Sequence, residues 1–182
     1  MPLLNSLATP YAEALLQVTE ARDESQMVAE QCKQLLSVWD SSAEFRDAMV
    51  SPVLEPSSKK KALQGLLAEQ VTPSLMNLLK VLADRQRLQA FEAVMNRFLE
   101  LYREQQGITL AQVRSAKPLS EAQQAALSKK VQAMAGTSKV DIDLSVDPAL
   151  IGGFVVSLGS QVIDASLAGQ VRRLGLALAK AS

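Results

Sequence analysis

The chain changes vocabulary at one point, and that change limits its fold more than any motif. Seven of its eight glycines lie at or after Gly107, and all four isoleucines (Ile108, Ile142, Ile151, Ile163) follow it. The stretch before is rich in Leu, Ala and Glu, which lose little entropy in a helix. The stretch after mixes β-branched residues with glycine, which suits strands joined by tight turns. Charge divides at the same place: residues 1–105 hold 11 Lys/Arg against 14 Asp/Glu, and residues 106–182 hold 8 against 5. The expected architecture is an N-terminal all-α six-helix bundle over 1–105, followed by a small α+β domain over 106–182.

Punctuation divides the first part. Thr9-Pro10 has the form of an N-cap with proline in the first turn, opening a helix to about Ala21. Asp23 with Gln26, and Ser41 with Glu44, have capping-box spacing and start the second and third helices. After the loop bracketed by Pro52 and Pro56, Ser57 to Gln70 forms a fourth. Thr72-Pro73 repeats the cap and opens a fifth, ending near Asp84. The sixth reads as the longest, with the stripe Phe91, Val94, Phe98, Leu101 and a C-terminal cap at Gly107.

In the second part Val140, Ile142, Leu144 and Val146 alternate with Asp141, Asp143 and Ser145, the pattern of a strand with one wet face. Ile108 to Val113 reads as an earlier strand. Between them, Ser120 and Gln123 open a helix that stops at Gly136. Phe154 to Leu158 and Val162 to Asp164 flank Gly159-Ser160, a two-residue hairpin turn. A last helix is expected over Ser166 to Ala179, with Leu167, Val171, Leu174 and Leu178 on one side.

Composition removes whole classes of chemistry. With no histidine and one cysteine, Cys32, neither a His-based nucleophile arrangement nor a His/Cys zinc site can be assembled. The charge totals balance at 19 each, so bulk electrostatics favours neither nucleic acid nor an anionic membrane. No apolar run reaches the length of a membrane span. The opening Met-Pro-Leu-Leu-Asn-Ser lacks the charged start and long apolar core of a secretory signal, so a cytoplasmic-type protein is expected.

The apolar arcs of two helices are wide. At about 100° per residue, Tyr11, Ala12, Ala14, Leu15, Leu16, Val18 and Ala21 sweep about 220°, and so do Leu75, Met76, Leu78, Leu79, Val81 and Leu82 on the fifth helix. A peripheral helix needs a stripe little over about 100° wide. Either these are the central helices of the bundle, or they leave a groove for an incoming amphipathic helix. Other features read as structural: Lys59-Lys60-Lys61 as a solvated face, Asp141, Asp143 and Asp147 as strand alternation rather than a cation site, and Cys32 as a small core residue. Arg172-Arg173 either faces solvent or meets an acidic partner.

Leu7-Ala-Thr-Pro-Tyr-Ala-Glu-Ala-Leu15, Leu78-Leu-Lys-Val-Leu-Ala-Asp-Arg-Gln-Arg-Leu88, and above all Val146-Asp-Pro-Ala-Leu-Ile-Gly-Gly-Phe-Val-Val156 through Val162-Ile-Asp-Ala-Ser-Leu-Ala-Gly-Gln-Val-Arg-Arg-Leu174 resemble the delta subunit of F-type ATP synthase, the oligomycin sensitivity-conferring protein family. The resemblance runs nearly end to end, and its wording is most similar to that of photosynthetic bacteria. It implies a non-catalytic stator subunit without cofactor or metal, held on the cytoplasmic side of a plasma or thylakoid membrane through ATP synthase. It implies that the alpha subunit's N-terminal helix lies in a groove between the first and fifth helices. Tyr11, Ala14, Leu15 and Val18 would line one wall of that groove and Leu75, Leu78, Leu79 and Leu82 the other. The C-terminal domain would meet the b or b′ stalk subunits, and Gly152, Gly153, Asp164, Gly169 and Arg172 match its motif, serving the local fold as well as the stalk contact. Ala168 stands where relatives carry a basic residue. The competing expectations are a generic two-domain adaptor for amphipathic helices and a small carboxylate enzyme, for which no two carboxylates are placed in one cleft.

Overall fold

A computed structural model describes residues 2–137, 139–159 and 161–173. Ser160 of the expected hairpin turn, and the stretch of the last expected helix with Leu174 and Leu178, lie outside the described residues. The chain separates into two compact units, Met1–Tyr102 and Arg103–Ser182. The division falls a turn before 105/106 because Arg103 pairs with Asp141 at 3.2 Å and its carbonyl accepts from the Ile108 N–H at 2.9 Å.

The N-terminal unit is helical: α1 (Pro2–Ala21), α2 (Ser25–Ser41), α3 (Ala43–Val50), α4 (Pro56–Leu67), α5 (Pro73–Asp84), and a single 3-10 turn, Leu88–Ala90, running into α6 (Phe91–Gln106). Its core is one cluster in which Trp39 stacks on Phe91 at 4.6 Å and meets Phe45 edge-on at 6.0 Å. Thr72 caps α5 as expected, accepting from the Leu75 N–H. Phe91, Val94 and Phe98 are buried on α6.

Several local expectations are corrected. Thr9-Pro10 starts nothing: α1 runs through Pro10. A mid-helix proline costs roughly 3 kcal/mol, but Pro10 is exposed while Ala8, Ala12, Leu15 and Thr19 keep one stripe buried on either side of it. Asp23 does not open α2, whose N-cap Glu24 makes no side-chain cap bond. It closes α1 instead: at φ +55° it donates to Glu20 while Glu24 donates to Thr19, a Schellman ending without glycine. Gln86 ends α5 in the same way at φ +53°. The third cap is Ser42, one residue past Ser41. The sixth helix, at 16 residues, is shorter than α1 at 20 and α2 at 17. The lysine run is not one solvated face. Lys59 is buried and donates to the Ser51 carbonyl at the end of α3, Lys60 pairs with Asp84 at 2.6 Å, and only Lys61 is exposed.

The C-terminal unit is a four-stranded mixed sheet, ordered β2-β1-β3-β4, of β1 (Thr109–Ser115), β2 (Val140–Val146), β3 (Phe154–Leu158) and β4 (Gln161–Asp164). β1 and β2 are parallel, Ala111 opposite Ile142, which demands a crossover, and α7 (Glu121–Ala135) supplies it. That helix starts in a full capping box at Ser120 and Gln123 and stops on left-handed Gly136. Leu127 and Val131 of α7 cover Ala111, Val113, Val156 and Leu158 on one sheet face. In the hairpin, Leu158 pairs with Gln161 across the turn, and Gly159 sits at φ +55°. Residues 167–173 are helical.

Candidate functional site

Two places collect the residues that the sequence singles out. In the N-terminal unit, α1 lies against α5, and side-chain bonds staple the pair at both ends of α5. At one end Arg22 of the α1 turn donates to Ser74 at 3.2 Å, and Ser74 donates to Glu24 at 2.8 Å. At the other, Arg87 donates to the Tyr11 hydroxyl at 2.8 Å. The start of α5 thus meets the end of α1, and the residues just past α5 meet the middle of α1, so the helices run antiparallel. These bonds also show which flanks face each other. Ala14 and Val18 follow Tyr11 on its strip of α1, three and seven residues on. Leu78 and Val81 follow Ser74 on its strip of α5, four and seven residues on.

Of the eight expected groove residues, Leu15, Leu75, Leu79 and Leu82 are bundle interior, the last three of α5 without exposed surface, and Leu78 is 9 % exposed. Tyr11 is half-buried, while Ala14 is exposed and Val18 is 43 % exposed. Apart from Val81, the wide arc of α5 therefore has the less specific cause, burial against its own neighbours; α1 does carry an uncovered apolar strip. Val81, 44 % exposed, belongs to the open surface and is absent from the expected set. So is Arg87, whose role depends on left-handed Gln86, a residue type that carries no signal of that conformation.

In the C-terminal unit, four of the five motif residues build one corner. Asp164 accepts from both the N–H and the hydroxyl of Ser166, and the Ser166 hydroxyl accepts from the Gly169 N–H at 3.0 Å. This is a capped helix start whose cap is itself held. A Cβ on Gly169 would lie 2.5 Å from the Asp164 carboxylate, and one on Gly153, at φ +80°, would lie 2.4 Å from the Ala165 carbonyl oxygen. On Gly152 it would meet Leu167. The glycines thus bring residues 152–153 against residues 165–167, where Leu167 donates to the Gly152 carbonyl at 2.9 Å. Arg172 is exposed and outside this corner.

The Ser166 hydroxyl and N–H, and then the fields of Arg173 and Arg172, hold the Asp164 carboxyl below its ordinary 3.8. A depressed carboxylate stabilises the fold fully above that ordinary value, and the contribution is lost as pH falls through the lower folded value. Acidification below about pH 4 is therefore expected to fray the start of the terminal helix, read as faster amide exchange at Ser166 and Gly169. Asp164→Asn should abolish that acid step; its persistence in the variant would refute the assignment.

Among the described residues no group of three or more His, Cys, Asp or Glu can hold a metal. Asp141 is occupied by Arg103, and Asp147 by Arg114 and the Ala149 N–H. Burial pushes the Cys32 thiol far up, away from its nucleophilic form.

The sequence profile of the ATP synthase delta (OSCP) subunit matches residues 7–178. The chain belongs to that family. It is 99 % identical to the ATP synthase subunit delta of Synechococcus sp. (strain CC9902) and 85 % identical to that of Parasynechococcus marenigrum (strain WH8102), in both cases over the whole of both chains. It is also 65 % identical to the organellar chromatophore ATP synthase subunit delta of Paulinella chromatophora, over 99 % of each chain. A chain of the Toxoplasma gondii mitochondrial ATP synthase hexamer shares the fold at a TM-score of 0.69 and 20 % identity, with 94 % of this chain and 97 % of that one covered. Members of the family are structural, non-catalytic subunits of ATP synthase. Among the described residues no helix is long and apolar enough to cross a membrane.

Proposed function

We propose that this chain ties the catalytic head of an F-type ATP synthase to its peripheral stalk, so that the head is not dragged round with the rotor during proton-driven synthesis. The N-terminal unit serves as the family's six-helix bundle and receives the N-terminal helix of an alpha subunit along the α1–α5 seam. The C-terminal unit meets the b or b′ subunits, and the assembly holds the chain on the cytoplasmic side of a plasma or thylakoid membrane. The observation that carries the reading is the open strip of Tyr11, Ala14, Val18 and Val81 between two helices stapled at both ends of α5. A preorganised seam spends little of its binding energy on ordering. Leu15, Leu75, Leu79 and Leu82 then hold the seam's shape from beneath, and the partner touches the strip above them.

Titrating the full chain with a peptide from the alpha N-terminus tests this. Val18→Asp, on an already exposed position, is expected to weaken binding by at least about tenfold (~1.4 kcal/mol) with the thermal transition unchanged. Equal affinity for both forms would rule out the seam. For the stalk assignment, the b-type chains are expected to co-purify with this chain from gently solubilised membranes and to be lost when residues 106–182 are removed.

A further inference from the structure

The corner formed by Gly152, Gly153, Asp164 and Gly169 fixes the local backbone, and two of its glycines also border a cavity. This cleft has a volume of about 610 Å³, within the range of about 300–1,000 Å³ usual for binding pockets. Its walls are the β1–α7 connection, one flank of α7 and the residue 151–154 segment. Leu119, Leu127 and Phe154 supply an apolar interior, and Lys117 and Lys130 stand at the rim. Both lysines are exposed, and no carboxylate among the described residues pairs with either. Ile151 also lines the cleft, 83 % exposed. The glycine segment is pinned on both sides, Ala116 donating to Gly153 and Leu167 to Gly152, so this wall is set before anything binds.

We infer that this cleft is the socket for an acidic amphipathic segment of a partner protein, its apolar side chains entering against Leu119, Leu127 and Phe154 and its carboxylates meeting Lys117 and Lys130. Apolar walls beside Lys117 and Lys130 fit a segment that is greasy on one side and anionic at its edges. Ile151 is the side chain such a segment would shield from water. Taking the partner to be a b-type chain rests on the stator reading; the chemistry of the cleft does not.

A photo-crosslinking amino acid placed at position 151 of the full chain, within assembled ATP synthase, tests the socket. Position 162, exposed on the opposite sheet face, is the control. The expected result is an adduct at 151 with an acid-bearing apolar segment, none of that kind at 162, and about a tenfold lower yield when Lys117→Glu and Lys130→Glu are combined. No protein adduct at 151, an adduct with a basic segment, or an unchanged yield after charge reversal would overturn the proposal. An acid-bearing adduct on a chain other than a b-type subunit upholds the socket and removes the stalk assignment. Co-purifying b-type chains with no adduct at 151 do the reverse.

Discussion

Gly153→Val is expected to unfold the C-terminal unit while leaving the helical unit intact. Two independent costs fall on that position. At φ +80° a β-branched residue is held in a backbone region it scarcely populates, at about 1–3 kcal/mol. Its Cβ would also lie 2.4 Å from the Ala165 carbonyl oxygen and 2.9 Å from the Ser166 Cα. That backbone cannot yield cheaply, because the Ala165 N–H is bonded to Phe154 at 3.0 Å and Leu167 to Gly152 at 2.9 Å. The combined penalty exceeds about 4 kcal/mol, close to the low end of the roughly 5–15 kcal/mol by which a domain is stable. Residue-resolved amide exchange should show β1 and β3 losing protection while α5 keeps it. The neighbour is a built-in control: a Cβ on Gly152 meets only the flexible end of Leu167, so Gly152→Ala should cost far less. Retained protection of β3 in Gly153→Val would show that the corner does not hold this unit together.

Leu79→Asp should collapse the N-terminal unit and abolish alpha-peptide binding with it. Leu79 has no exposed surface, and Leu75 and Leu82 beside it are equally enclosed. The substitution forfeits a buried leucine, about 2–5 kcal/mol even when alanine replaces it, and adds the desolvation of a carboxylate with no partner. The Trp39 emission, set by stacking on Phe91 and by Phe45, should move toward that of a solvated indole, and thermal unfolding of this unit should vanish. Val18→Asp should do neither while still weakening the peptide. The two variants together separate a residue that shapes the seam from one that touches the partner; a folded Leu79→Asp protein would mean that α5 is not core.

Legibility followed whether a residue's role depended on its close chain neighbours. The cap at Thr72, the capping box at Ser120 and Gln123, the stop at Gly136 and the hairpin at Gly159 are local devices, visible as residue types at fixed spacing. The endings of α1 and α5 use the same Schellman geometry, but with Asp23 and Gln26's apparent capping box in the first case and with Gln86 in the second, so their letters misdirect. Pro10 misled for the opposite reason, because a strong local breaker was outweighed by core contacts on both sides of it. The lysine run separated into three roles because α4 faces the ends of two other helices.

The amino-acid sequence alone determined the order of a helical unit and an α+β unit, the boundary between them to within a turn, the helix between β1 and β2 and the hairpin, the exclusion of His-based nucleophile and His/Cys zinc arrangements, and the family resemblance. These depend on composition, periodicity and short spacings, which need no partner in space. Which leucines of the α1–α5 pair are interior and which residues remain in water was decided only by tertiary structure. An apolar arc records how much surface a helix must cover, and three-dimensional packing decides what covers it. The same holds for the motif glycines: their letters mark a place where bulk is excluded, and only the fold shows that the excluded volume belongs to Ala165, Asp164 and Leu167.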